Sequence, residues 1–227
     1  MPDRADSTSR DVVTVIGGLV AEAWRVVEPN LSGLTDEEYF WEPAPGCWNV
    51  RLRSELTTTD SWGRGEYAVE TSFDDSHTPT TTTIAWRLLH AYDCFRDYAS
   101  RAFGRGPLDW NDIEIPGSAA VATQMMRDAV DEVRHYCEGS DAVLFEHEGD
   151  RPHWLLLDRG LLEWIHHCAE IGVLRTMFRL DRGVPSSPDQ EVVEPSERPS
   201  REVDLGGERP DAVTLERVLD VAGGDPA

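Results

Sequence analysis

Lysine is absent from this chain: all 21 basic residues are arginine. A Walker-type loop needs its Lys on the phosphates, and Schiff-base or pyridoxal chemistry needs a Lys amine, so both are excluded. Basic charge is scarce altogether. Against 43 acidic residues it leaves a formal net charge of -22. Phosphate-rich surfaces repel such a chain, which argues against nucleic acid or an anionic membrane as its partner. Cysteine is sparse too. Cys47, Cys94, Cys137 and Cys168 lie far apart with no C-x-x-C pair, so there is no zinc ribbon and no thioredoxin-like motif. No apolar run approaches the roughly 20 residues that span a bilayer, and Met1 to Arg10 is polar, unlike a signal peptide. These absences lead us to expect a soluble, reduced, cytoplasmic protein. Nucleophile elbows and dinucleotide fingerprints are missing as well.

What is present is helical periodicity. Apolar residues recur every three or four positions from about Asp11 to Glu28, where Pro29 is expected to end the helix. A second helix is predicted from the threonine run after Pro79, through Ile84, Leu88 and Phe95, to Gly104. A third starts near Ser118. A fourth starts between Pro152 and Asp158 and runs to about Leu180. Four such helices predict an all-α four-helix bundle over residues 1–180. About fifty residues separate the first two, a crossover long enough to hold structure of its own. Thr35 to Glu38 reads as a capping box for a short helix, and Glu66 to Ser72 as an extended piece. Residues 181–227 hold twelve acids, five arginines and six of the fourteen prolines, and no aromatics. They read as an irregular acidic tail, with a short helix at 211–221 as its one candidate element.

The chemistry concentrates in the fourth helix, in Glu163-Trp164-Ile165-His166-His167-Cys168-Ala169-Glu170-Ile171. Glu163 and His167 lie one turn apart on one face, a spacing that lets two ligands close on one metal ion. His166 with Glu170, and Glu163 with His166, are competing pairs that periodicity alone does not separate. His90, on the second helix, is the best candidate for a third ligand, although its place beside the apolar stripe by itself reads as a boundary histidine; Cys94 one turn on fits a ligand by spacing but reads as a small buried apolar residue. His77, His135, His147 and His153 read as solvated residues of loops and polar stretches.

Three pieces taken together resemble a known family. They are Trp41-Glu42-Pro43-Ala44-Pro45-Gly46-Cys47-Trp48-Asn49-Val50-Arg51, then Thr82-Thr83-Ile84-Ala85-Trp86-Arg87-Leu88-Leu89-His90, then the helix around Glu163 and His167. Over roughly residues 10 to 180 the chain resembles the DinB-like superfamily, which includes the DinB and YfiT proteins and the mycothiol-dependent maleylpyruvate isomerases. The resemblance implies a DinB-like bundle with a long crossover between its first two helices. It also implies a divalent metal on His90, Glu163 and His167, with Glu163 matching the His-Glu-His set of the isomerases. Such a donor set suits zinc, nickel, manganese or iron, and zinc is expected from availability. The reaction implied is a transfer by a low-molecular-weight thiol, mycothiol if the all-arginine composition reflects a GC-rich genome. His166, Glu170 and Arg175 are expected to orient ligands or substrate, and Trp48 and Trp86 to wall the pocket. Relatives often pair, so a homodimer is expected. Two departures stand out: Leu89 precedes the His where many relatives have a small residue, and the tail replaces the isomerases' folded C-terminal domain.

Overall fold

A computed structural model describes residues 4–73, 79–139 and 147–183. His77, the acidic tail and its candidate helix at 211–221 lie outside the described residues. Four long helices dominate: α1 (Arg4–Leu31), α3 (Ile84–Ala102), α4 (Ala119–Gly139) and α5 (His153–Asp181). A single turn, α2 (Asp36–Tyr39), follows α1. Its capping box is formed: the Thr35 hydroxyl accepts from Glu38 N–H, and the Glu38 carboxylate accepts from Thr35 N–H.

Side-chain contacts give the helix directions. Trp24 of α1 stacks near Trp164 of α5, and the Asn30 side chain donates to Cys168 O, so α1 and α5 run parallel. On α3, Phe95 meets Trp164 and His90 meets His167, so α3 runs antiparallel to α5. Arg127 of α4 pairs with Glu28 while Gly17 lies against Cys137, so α4 runs antiparallel to α1. The core between them is apolar and closed, with Val20, Leu88, Phe95, Met126, Trp164 and Ile171 fully buried.

The first correction concerns α1, which passes through Pro29 to Leu31. Pro29 sits in the last turn, so only one helical hydrogen bond is lost. That turn is held from outside, because Arg175 donates to Asn30 O and Ser32 O at 3.0 and 2.8 Å. The second concerns the fold class, which is mostly helical but not all-α. The crossover carries a three-stranded antiparallel sheet in the order β1-β3-β2, built from β1 (Val50–Leu52), β2 (Asp60–Trp62) and β3 (Tyr67–Thr71). Val50 pairs with Val69, and Asp60 with Thr71. A two-residue hairpin, β4 (His147–Glu148) with β5 (Arg151–Pro152), leads into α5.

The sheet positions α3. Glu70 is fully buried, and its carboxylate accepts from Asn49 N–H, Thr57 N–H and the Arg51 guanidinium. Asn49 accepts in turn from the hydroxyl of Thr83, the N-cap of α3, at 2.8 Å. Trp86, in the first turn of α3, donates its indole N–H to Glu70 O at 2.8 Å. The two sequence pieces around Asn49 and Thr83 are thus one hydrogen-bonded unit, fixing the helix end that carries His90.

Candidate metal centre

Two turns into α3, His90 faces α5. Its ligand atoms and those of Glu163 and His167 all lie within 4.8 Å of one another, and all three side chains are half-buried. The His90 and His167 rings meet edge to face with centroids 4.9 Å apart. His167 Nε2 is 3.5 Å from Glu163 Oε2. Two imidazoles and a carboxylate converging from two helices make a donor set that fits a divalent ion.

The other nitrogen of His167 is engaged. Nδ1 lies 2.8 Å from Glu170 Oε2, the geometry of an Nδ1–H donating to a carboxylate. Arg87 also approaches Nδ1, at 3.4 Å, but both groups cannot donate to each other, so the shorter Glu170 contact decides the tautomer. That tautomer leaves the Nε2 lone pair facing Glu163 and His90. Glu170 also accepts from Arg87 Nη1, which keeps its charge balanced. A carboxylate behind the imidazole is the arrangement that fixes ring orientation and raises ligand basicity. On the far side, Arg159 holds Glu163 Oε1 at 2.6 Å.

His166, His167 and Glu170 form a second group of suitable donors. It is the poorer of the two. Its side chains come from one helix, the His166 side chain is 64% exposed, and Glu170 is already paired with Arg87. Trp86 stacks on His90 with centroids 4.7 Å apart and closes one side of the cluster. Trp48 lies one ring further out, 6.1 Å from Trp86. Leu89 is wholly buried in the core and does not crowd the His90 face. Cys94 Sγ is 3.7 Å from His90 Nε2, and burial pushes its thiol up to about 12, so at neutral pH it is an uncharged thiol.

Two sequence expectations need correction. Arg175 does not reach the cluster. It is buried and spent on Glu38 and on the carbonyls of Asn30, Ser32 and Gly33. His153 is buried rather than solvated, because α5 starts at that residue, straight after Pro152. His135 and His147 are exposed as expected. Sequence reasoning missed Arg87 and Arg159. The available signal was spacing: Arg87 precedes His90 by three residues, and Arg159 precedes Glu163 by four.

The profile of the DinB superfamily matches residues 19–170, which include every element of this cluster. The chain belongs to the DinB superfamily. No curated protein and no solved structure matches it. No described helix is long and apolar enough to cross a membrane.

Both ligand-type histidines are held neutral. Burial pushes His90 down to about 4, reinforced by the charges of His167 and Arg87 and opposed by Glu163 and Glu170. Burial also lowers His167, against the pull of Glu170. For His90 the folded value lies below the ordinary 6.5, so the unfolded chain binds the extra proton between those values. Its contribution is complete above pH 6.5 and is lost as pH falls toward 4. The metal-free chain is therefore expected to lose up to about 3 kcal/mol over that window. Urea denaturation from pH 7 to pH 4 measures it, and His90→Gln should flatten the slope.

Proposed function

We propose that this chain is a divalent-metal-dependent enzyme that transfers a low-molecular-weight thiol, mycothiol or a close analogue, to an electrophilic small molecule. The same reading takes α1, α3, α4 and α5 as the DinB-type four-helix bundle, with the sheet filling its long crossover. His90, Glu163 and His167 would hold the ion, zinc before nickel, manganese or iron. When bound, the ion supplies Lewis acidity that brings a thiol's pKa toward neutrality.

The observation that carries the reading is the convergence of three donors within 4.8 Å beside a fourth group, Glu170, whose role is to hold a ligand proton. Three protein ligands leave coordination positions open, as catalytic sites require. Glu170 keeps the His167 proton on Nδ1, and Arg87 keeps Glu170 from competing as a ligand. Trp86 shields His90 from water on one face.

Glu163 is paired with Arg159 and Glu170 with Arg87, so neither is a free general base. A metal-bound thiol would ionise near neutral pH without one, and so would metal-bound water, which makes a metal-dependent hydrolase the alternative enzyme reading of the same ligands. The same shortage of a free base supports a second reading, a metal- or ligand-binding bundle without catalysis.

The test is turnover of chlorodinitrobenzene with mycothiol or glutathione by untagged, metal-loaded protein. Thiol conjugation that disappears on chelation and in His167→Ala is expected. A bound ion with no turnover on any thiol would move the chain to the second reading.

A further inference from the structure

The start of α5 borders a cleft of about 600 Å³ whose wall carries Arg151, Asp158 and Arg159 among Tyr98, Leu155 and Leu162. Leu155, Arg159 and Leu162 recur at intervals of four and three residues and so share one face of the helix. One turn beyond Arg159, the same face carries Glu163. Tyr98 comes from α3, on the row that runs from His90 through Cys94. A Cβ on Gly160 would lie 2.9 Å from that of Tyr98, so the two helices press together here. Both walls of the cleft therefore lead along one helix pair to the metal cluster.

The charge of this cleft is unusual for the chain. A formal charge of -22 repels anions at long range. Two further clefts, of about 460 and 440 Å³, repeat that repulsion locally, since Asp93 and Asp109 line both and Arg96 in the first is spent on Glu132. The α5 cleft instead sets two guanidinium groups against the single carboxylate of Asp158. Arg159 gives one N–H group to Glu163 at 2.6 Å, but its side chain is 59% exposed and keeps further donors. Arg151 is exposed; its ladder partner is Glu148, and among the described residues no side chain pairs with it. A guanidinium fork matches a carboxylate with two parallel hydrogen bonds. Beside these donors Leu155 and Leu162 are 38 and 56% exposed, an apolar wall that polar solutes leave unsatisfied.

We infer that this cleft binds an amphipathic organic anion, its carboxylate held by Arg151 and Arg159 and its apolar body laid along Tyr98, Leu155 and Leu162. Resting on the thiol-transfer reading, this makes the electrophile a carboxylate-bearing molecule. From Arg159 to Glu163 is one helical turn, about 6 Å, so a small molecule anchored at Arg159 reaches the cluster with its other end. Low-molecular-weight thiols are polar along most of their length and match the apolar wall less well.

Isothermal titration of the full untagged chain with phenylacetate, metal-free and zinc-loaded, tests this. Binding in the millimolar range or tighter is expected in both forms, and phenylacetamide, the same body without charge, should bind about tenfold more weakly. Arg151→Gln is expected to lose about tenfold in phenylacetate affinity. Asp158→Asn and Glu148→Gln each remove a neighbouring negative charge and should tighten binding. Arg134→Gln removes an equal positive charge from an exposed site on α4 and should change nothing. Equal binding of acid and amide, binding unaffected by Arg151→Gln, or the same loss in Arg134→Gln would each overturn the inference. Displacement of phenylacetate by S-methylglutathione as effective as by chlorodinitrobenzoate would overturn the assignment to the electrophile and give the carboxylate to the thiol. Phenylacetate bound through Arg151 in a chain that conjugates no electrophile would keep the anion site and remove only the reaction.

Discussion

His90→Ala, Glu163→Ala and His167→Ala are each expected to weaken divalent-metal binding by on the order of a hundredfold or more, while His166→Ala changes it little. Each of the first three removes one of only three protein donors. His166 points away, 64% exposed on the outer side of α5; it meets the His167 ring edge to face and lies near Glu170, and it is not among the three converging donors. Glu170→Gln should fall between, with a loss of about 10- to 100-fold, because an amide cannot hold the His167 Nδ1 proton as a carboxylate does. The fold is expected to survive all five substitutions, since the core is closed by Phe95, Trp164 and Ile171 without help from an ion. Equilibrium dialysis with zinc, alongside circular dichroism, measures both quantities. Metal lost in His166→Ala and kept in His167→Ala would transfer the site to the His166 and Glu170 pair.

Arg175→Ala is expected to cost about 3–5 kcal/mol of stability. The guanidinium donates to both carboxylate oxygens of Glu38, at 3.0 and 3.2 Å, and to three carbonyls at the end of α1. Removing it strands the Glu38 charge, whose side chain is 6% exposed, with only the cap of Thr35 and Arg179 at 3.8 Å. Replacing both partners, Arg175→Met with Glu38→Gln, should cost less than the single change, because no charge is left buried and unpaired. The pair also sets an acid limit. Burial alone would raise Glu38, but the Arg175 and Thr35 hydrogen bonds and the charges of Arg175 and Arg179 hold it below the usual 4.5. Its contribution is present above that value and is lost as pH falls through the lower folded one. A urea double-mutant cycle at pH 7 and again at pH 3 reads both effects.

The long helices were legible because apolar spacing marks a face packed on a core. The residues from Val20 to Val27, Ile84 to Phe95 and Leu157 to Phe178 carry that pattern, and it is the pattern found buried. Of the sheet, β3 was legible as the extended piece at Glu66 to Ser72, and β1 and β2 were hidden for the opposite reason. Both are three residues long and hold Arg51 and Asp60, which look like loop residues until their partners are known. Glu70 is the sharpest case, because a lone acid in the sequence becomes a fully buried hub only through Asn49, Arg51 and Thr57. At the cluster, spacing put Glu163 beside His167 but could not choose between His166 and His167, which are neighbours in the chain. The choice follows from α3: His90 comes down on the His167 side, and Arg87 takes up Glu170. Arg175 misled because α5 is long. Eight residues beyond His167 it serves the end of α1 instead.

Cobalt titration of untagged, metal-free protein at pH 7, followed by absorbance, tests the metal centre most directly. One ion per chain is expected, with visible bands of a nitrogen- and oxygen-ligated site and no thiolate-to-metal charge-transfer band, because the converging donors are His90, Glu163 and His167, without Cys94. The bands should vanish in His90→Ala. No cobalt binding, a thiolate band, or a spectrum unchanged by His90→Ala would contradict a centre built from His90, Glu163 and His167.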